Sequence, residues 1–192
     1  EADLTKSLVH PYVPRFPRHV SYDLVLFGSW RRKGVYVGEK QIASPGSYPV
    51  AGFNFAPMYN LNYKLRFGVS LDGVYDGSAN VYTEDALVEY DAGSGSSRRK
   101  FLVPGIQNQL ALGLSGRAEY VMPFFTIGVG LGTNVLGRGN LRGLYQVFAL
   151  KINVTRSSFL HIGYNLQDFQ TPNYLMLGLG FRFNNKYPKV RH

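Results

Sequence analysis

The residues best suited to chemistry gather in one stretch, FLHIGYNLQDFQTPN, from Phe159 to Asn173. His161 is the one histidine that falls inside a strand-like run, near its expected outer end, and Asp168 follows seven residues later. A neutral imidazole oriented by a carboxylate can serve as a general base, with Asp168 as the candidate orienting group. Asn165, Gln167, Gln170, Asn173 and Tyr174 add hydrogen-bonding groups close by. The same histidine has a structural reading, as a hydrogen-bonded residue at a membrane–water rim. Ester cleavage would further require an oxygen nucleophile within about 3 Å of the base, and donors for the oxyanion. Ser157 and Ser158 stand toward the other end of the run, while Ser44, Ser47, Ser78, Ser94, Ser96 and Ser97 fall in expected outer loops. Tyr164 and a water activated by His161 are the remaining sources.

Other chemistries find little support. The chain has no cysteine, which removes disulfide scaffolds and thiolate catalysis. His10, His19, His161 and His192 show no i,i+4 pairing and no HExxH pattern, so no metal site is expected. GVGLG at Gly128 to Gly132 lacks the following helix and lysine of a phosphate loop and reads as small inward residues on a strand. No cofactor is implied. The formal charge of +9 raises the question of nucleic acid. The basic groups are dispersed or lie in loops, as at Arg31–Lys33, Arg98–Lys100, Arg138 and Arg142. That distribution suits an anionic lipid surface better than a duplex.

The elements that must position these residues are strands. The last one, YLMLGLGFRF, sets Leu175, Leu177, Leu179, Phe181 and Phe183 against Tyr174, Met176, Gly178, Gly180 and Arg182. One face suits lipid, and the other carries glycine and a charge. Seven more candidates precede it: Ser21–Val37, Tyr48–Tyr59, Tyr63–Tyr75, Phe101–Leu114, Arg117–Leu131, Gly143–Asn153 and Ser158–Asn165. Tight turns are expected at Asn60–Asn62, Ser115–Gly116 and Asn153–Ser157, alternating with longer links. The pattern predicts an all-β, eight-stranded antiparallel transmembrane β-barrel in a bacterial outer membrane, with long extracellular loops and short periplasmic turns.

The barrel should occupy residues 20–183, after an irregular proline-bearing segment, residues 1–19, and before a short tail, residues 184–192. The opening EADLTKS fits a mature N-terminus. Lys64, Arg66, Asp72, Glu119 and Arg182 are candidates for a paired interior network, since eight strands enclose a packed lumen rather than a pore. Pro57 and Pro123 fall inside expected strands and mark bulges or strand ends. A soluble lipocalin-like carrier is the fold-level alternative, with an apolar interior and a polar exterior.

The closing region FLHIGYNLQDFQTPNYLMLGLGFRF resembles the end of the lipid A 3-O-deacylase (PagL-like) family, and FNFAPMYNLNYKLRFGVSLDGVYD looks like its second and third strands. The resemblance implies an eight-stranded outer-membrane barrel that hydrolyses the ester at position 3 of lipid A and releases a 3-hydroxy fatty acid. It also implies a His/Ser/Glu triad near the outer end, reached from the lipid. His161 matches the base of that triad. Gly163 stands where the family has its serine, and Asn173 or Tyr174 falls near the position of its acid; Asp168 is the available substitute. Leu160, Ile162, Tyr164 and Leu166 form the more apolar face of this strand, which turns His161, Gly163 and Asn165 inward. Two functions follow as expectations: a hydrolase acting on lipid A, or a barrel without that chemistry that binds an outer-membrane lipid or a protein partner or has a structural role.

Overall fold

The computed structural model describes residues 15–31, 34–37, 40–43, 47–80, 82–91, 96–102, 105–169 and 171–187. Eight strands close into an antiparallel barrel. In chain order they are β1 (His19–Arg31), β4 (Tyr48–Asn60), β5 (Leu65–Asp76), β8 (Leu110–Val121), β9 (Phe125–Leu136), β10 (Leu144–Asn153), β11 (Ser158–Gln167) and β12 (Thr171–Phe183). Two hairpins, β2 (Gly34–Val37) with β3 (Lys40–Ala43) and β6 (Tyr82–Asp91) with β7 (Ser96–Leu102), extend the first two long links. Closure is made by β1, which pairs with β12 from Tyr22↔Phe183 to Gly28↔Leu177 and with β4 from His19↔Asn60 to Arg31↔Tyr48. A closed ladder leaves no edge, which is the condition for backbone to sit in hydrocarbon.

Side-chain parity follows the sequence alternation. Leu175, Leu177, Leu179, Phe181 and Phe183 point out and are exposed, as do Leu65, Phe67, Val69, Ile127, Val129 and Leu131. This apolar exterior around a charged interior is the reverse of a soluble carrier. Several expected boundaries are corrected: the first strand ends at Arg31 rather than Val37 and the fourth begins at Leu110 rather than Phe101, with Gly34–Val37 and Ser96–Leu102 in the separate hairpins. Ser115–Gly116 is no turn: β8 runs through it, with Ser115 facing Ser70 and Gly116 facing Val69 on β5. The turn comes later, at residues 122–124, so Pro123 lies between strands and costs no ladder bond. Pro57 does sit within β4; the β4–β5 ladder forms no pair at Ala56 and Pro57 and resumes at Met58↔Gly68. Residues 1–14 and 188–192, including parts of the expected N-terminal segment and tail, lie outside the described residues.

The lumen is filled in tiers. One tier collects five buried charges from five strands. The Asp23 carboxylate receives Arg66 Nη2 at 2.5 Å, Lys151 Nζ at 2.8 Å and Arg182 Nε at 3.0 Å. Glu119 pairs with the Arg66 guanidinium and with Lys151 Nζ at 2.6 Å. Three cations against two carboxylates leave one positive charge over. Part of it rests on Phe159, with Lys151 5.0 Å and Arg182 5.2 Å from the ring centroid.

A second tier centres on Asp72. It accepts from Arg117 Nη2 at 2.9 Å, Asn54 Nδ2, Ser115 Oγ and Tyr145 Oη at 2.6 Å each, and Ser70 Oγ at 2.5 Å. Toward the long loops, Arg31 meets Asp76 at 2.9 Å. Of the network expected from sequence, Arg66, Glu119, Asp72 and Arg182 are inside, split between the first two tiers. Lys64 is exposed in the β4–β5 turn. Asp23, Lys151 and Arg117 complete the pairing.

Removing one partner of a buried ion group strands the others without compensation and costs about 3–5 kcal/mol. Asp23→Asn should therefore lower the unfolding free energy by about that amount in a urea titration of the micelle-embedded protein. A change below about 1 kcal/mol would mean that the five charges do not act as one cluster.

Candidate functional site

His161 lies on β11, three residues from its start at Ser158, paired with Lys151 on β10 and Gly178 on β12. This is the short-turn half of the strand, not its outer end as the sequence had suggested. The ring points into the lumen and is 2% exposed. It borders a cavity of about 10 Å³ shared with Asp23, Glu119 and Lys151 of the first ion tier and with Ser70 and Arg117 of the second. Among the described residues, neither Nδ1 nor Nε2 has a hydrogen-bond partner.

The reason for this placement is local. Phe159, His161, Gly163 and Asn165 share the buried parity of β11, while Leu160, Ile162 and Tyr164 face out. The register with β12 shifts only at Asn165/Leu166, beyond the histidine, so the irregularity does not turn His161 outward. Gly163 acts as the seat of the imidazole. A Cβ added there would lie 2.7 Å from His161 Nε2 and 2.6 Å from Met176 Cε.

Asp168 sits at the other end of the strand, exposed in the β11–β12 turn with φ +50°, followed by Phe169 at φ +59°. Seven residues of near-extended chain separate it from His161, about 23 Å at about 3.3 Å per residue. The structure does not bring these two residues together, and the imidazole is not oriented by this carboxylate. Its backbone N–H donates to Leu144 O at 3.1 Å, and the Phe169 N–H to Gln146 Oε1 at 2.9 Å, so the turn is held to β10 instead.

No hydroxyl among the described residues bonds to His161. Ser158 is in contact with Thr155 Oγ1 at 2.7 Å in the short turn. Ser78 donates to Asp76 at 2.6 Å near the long loops, and Tyr164 faces outward. Ser47 is exposed at the start of β4. Ser96 and Ser97 belong to the β6–β7 hairpin, and Ser44 and Ser94 lie outside the described residues. Asn165 and Tyr174 are buried and paired across β11 and β12. His19, at the short-turn end, joins Pro17 O to Nδ1 at 2.7 Å, and the Lys186 N–H donates to its Nε2 at 3.2 Å. Among the described residues, no three metal-ligating side chains converge.

The signal for the charged residues that sequence reading missed was present. Ser21, Asp23, Val25 and Phe27 alternate with Tyr22 and Leu26 as cleanly as the closing strand does, which marks Asp23 as inward. An imidazole without hydrogen-bond partners contributes packing rather than polarity. His161→Leu, which keeps similar bulk, should leave stability within about 1 kcal/mol of the parent in the same urea titration. A loss of more than about 3 kcal/mol would show that His161 is a hydrogen-bonded member of the ion network.

No curated protein matches the chain. Among solved structures, the chain is similar to Ail, the attachment invasion locus protein of Yersinia pestis, determined in complex with the heparin analogue sucrose octasulfate. Identity is 13% and the TM-score 0.44, over 85% of this chain and 98% of that one. The family model for the acyloxyacyl hydrolase C-terminal domain (PagL_C) matches residues 20–185, nearly the whole barrel. The chain belongs to the PagL-type acyloxyacyl hydrolase family.

Proposed function

We propose that this protein is an outer-membrane barrel that retains the membrane fold of its family without ester hydrolysis at His161, and that it works by binding lipid or a protein partner at its rims. The observation that carries this is the orientation of His161. Its ring is buried in the lumen, with Gly163 beneath it, where the resemblance to the family implies the nucleophilic serine. A lipid A ester in the outer leaflet would have to cross the barrel wall to meet it. General-base catalysis needs the base within hydrogen-bond reach of the group it deprotonates.

The exposed apolar belt supports the membrane location. The short turns share one end with the start of β1 and the finish of β12, an end that in an outer-membrane barrel faces the periplasm, with the long loops outside.

Family membership favours a second reading, hydrolysis of an acyl ester of lipid A with His161 as the base; Asp168 would then be a substitute for the family's acid rather than a match to it. That reading requires the β11–β12 region to rearrange so that His161 reaches the lipid face.

One experiment separates the two. Purified lipopolysaccharide in detergent micelles is incubated with the protein, and released fatty acid is measured by mass spectrometry. The first reading expects no release by the parent and none by Gly163→Ser, because the new hydroxyl would face the lumen. Release of a 3-hydroxy fatty acid that disappears in His161→Ala would overturn it and establish the second.

A further inference from the structure

At the short-turn end, the described residues outside the strands are 15–18, 61–64, 122–124, 154–157 and 184–187. They include Arg15, Arg18, Lys64, Arg156 and Lys186, all exposed, and no aspartate or glutamate. An unbalanced ring of five cations at one rim produces a concentrated positive potential. The Lys64 ammonium has no ion pair or hydrogen bond among the described residues.

The same rim borders an open cavity of about 850 Å³, which is ligand-sized. Tyr63, Lys64, Tyr120, Arg156, Arg182 and Tyr187 are among its walls. Tyr120 faces outward on β8 and is 41% exposed, whereas Arg182 faces the lumen. The cavity therefore reaches from the lipid-facing belt to the mouth of the barrel. The Arg156 guanidinium donates through Nη2 to Asn185 O at 3.2 Å and Tyr187 O at 3.3 Å, which fixes it at the cavity wall. Tyr187 packs on Phe16, which packs on Tyr63, and its hydroxyl is buried with no hydrogen-bond partner among the described residues.

We infer that this rim is a binding site for an anionic phospholipid of the periplasmic leaflet, with its phosphate held by Lys64 and the neighbouring cations and its glycerol and upper acyl chains against Tyr120, Val121 and Met122. Charge complementarity requires the anion. The apolar part of the lining, and its continuity with the lipid-facing surface at Tyr120, requires a ligand that is also part of the bilayer. A soluble phosphate would leave that lining unused. Tyrosine at a membrane boundary suits a ligand whose apolar and charged parts meet at that depth. The site rests on the membrane orientation proposed above but not on the absence of esterase activity, so release of fatty acid from lipid A would overturn the earlier reading alone.

The test is native mass spectrometry of the full chain in an uncharged detergent, titrated with phosphatidylglycerol or phosphatidylcholine of identical acyl chains. Phosphatidylglycerol should bind about tenfold more tightly, and the difference should shrink as salt is raised. Lys64→Glu with Lys186→Glu should weaken it about tenfold, while Arg138→Glu with Arg142→Glu, in the long β9–β10 loop, should leave it unchanged. Heat-modifiable gel mobility confirms that each variant is folded; the selectivity of the parent protein is decisive whether or not they fold. Equal binding of the two lipids, an equal loss in the loop variant, or displacement of phosphatidylglycerol by millimolar inorganic phosphate would overturn the proposal.

Discussion

Asp23 is the point on which the interior depends. It stands on β1, the strand that closes the barrel, and it faces cations from β5, β10 and β12. A lumen this narrow cannot hydrate five charges, and charges withdrawn from water persist only when paired. The pairing therefore constrains the distances between opposite walls, which the ladders alone do not do. Backbone hydrogen bonds set which strands are neighbours, and the ion tiers set how the cylinder is filled. Small residues take part in this filling. Gly180 leaves the space occupied by the Phe159 ring, and that ring lies against Lys151 and Arg182 of the cluster.

The same constraint decides what His161 can do. Its cross-strand neighbour is Lys151, a member of the Asp23 cluster, so the parity of β10 and that of β11 are coupled. Turning His161 toward lipid would require a one-residue slip of β11, which would place Leu160, Ile162 and Tyr164 in the lumen beside the charges. The interior of this barrel thus holds His161 away from the membrane. Function is then better sought at the rims, where charge and apolar surface are both accessible.

Much of the barrel was legible from alternation alone. The closing strand reads correctly residue by residue, because one face meets lipid and the other a packed lumen. The long-short order of links was also legible. Ser115 and Gly116 misled because serine and glycine are turn residues in most folds, yet inside a barrel they are the residues small enough to face a crowded interior. Ser115 donates to Asp72 and so belongs to the core. Misplacing that turn shifted two strands and left Arg117 at a strand end rather than in the lumen. The depth of His161 was misjudged for a related reason: β11 continues to Gln167, so the histidine is farther from the long-loop rim than a strand ending at Asn165 implies. Asp168 looked close in sequence, but an extended strand moves successive residues apart faster than any other element. The pairing of Asp23 with Lys151 spans 128 residues of sequence and becomes visible only once the sheet is closed.

The inward register of His161 is the central claim, and site-directed spin labelling tests it most directly. The chain has no cysteine, so single cysteines at positions 160, 161 and 162 can each carry a nitroxide without background. In lipid bilayers, labels at 160 and 162 should be readily relaxed by oxygen dissolved in the hydrocarbon, while the label at 161 should be immobile and shielded from it. Strong oxygen access at 161, with shielding at its two neighbours, would contradict the register and return the histidine to the lipid face.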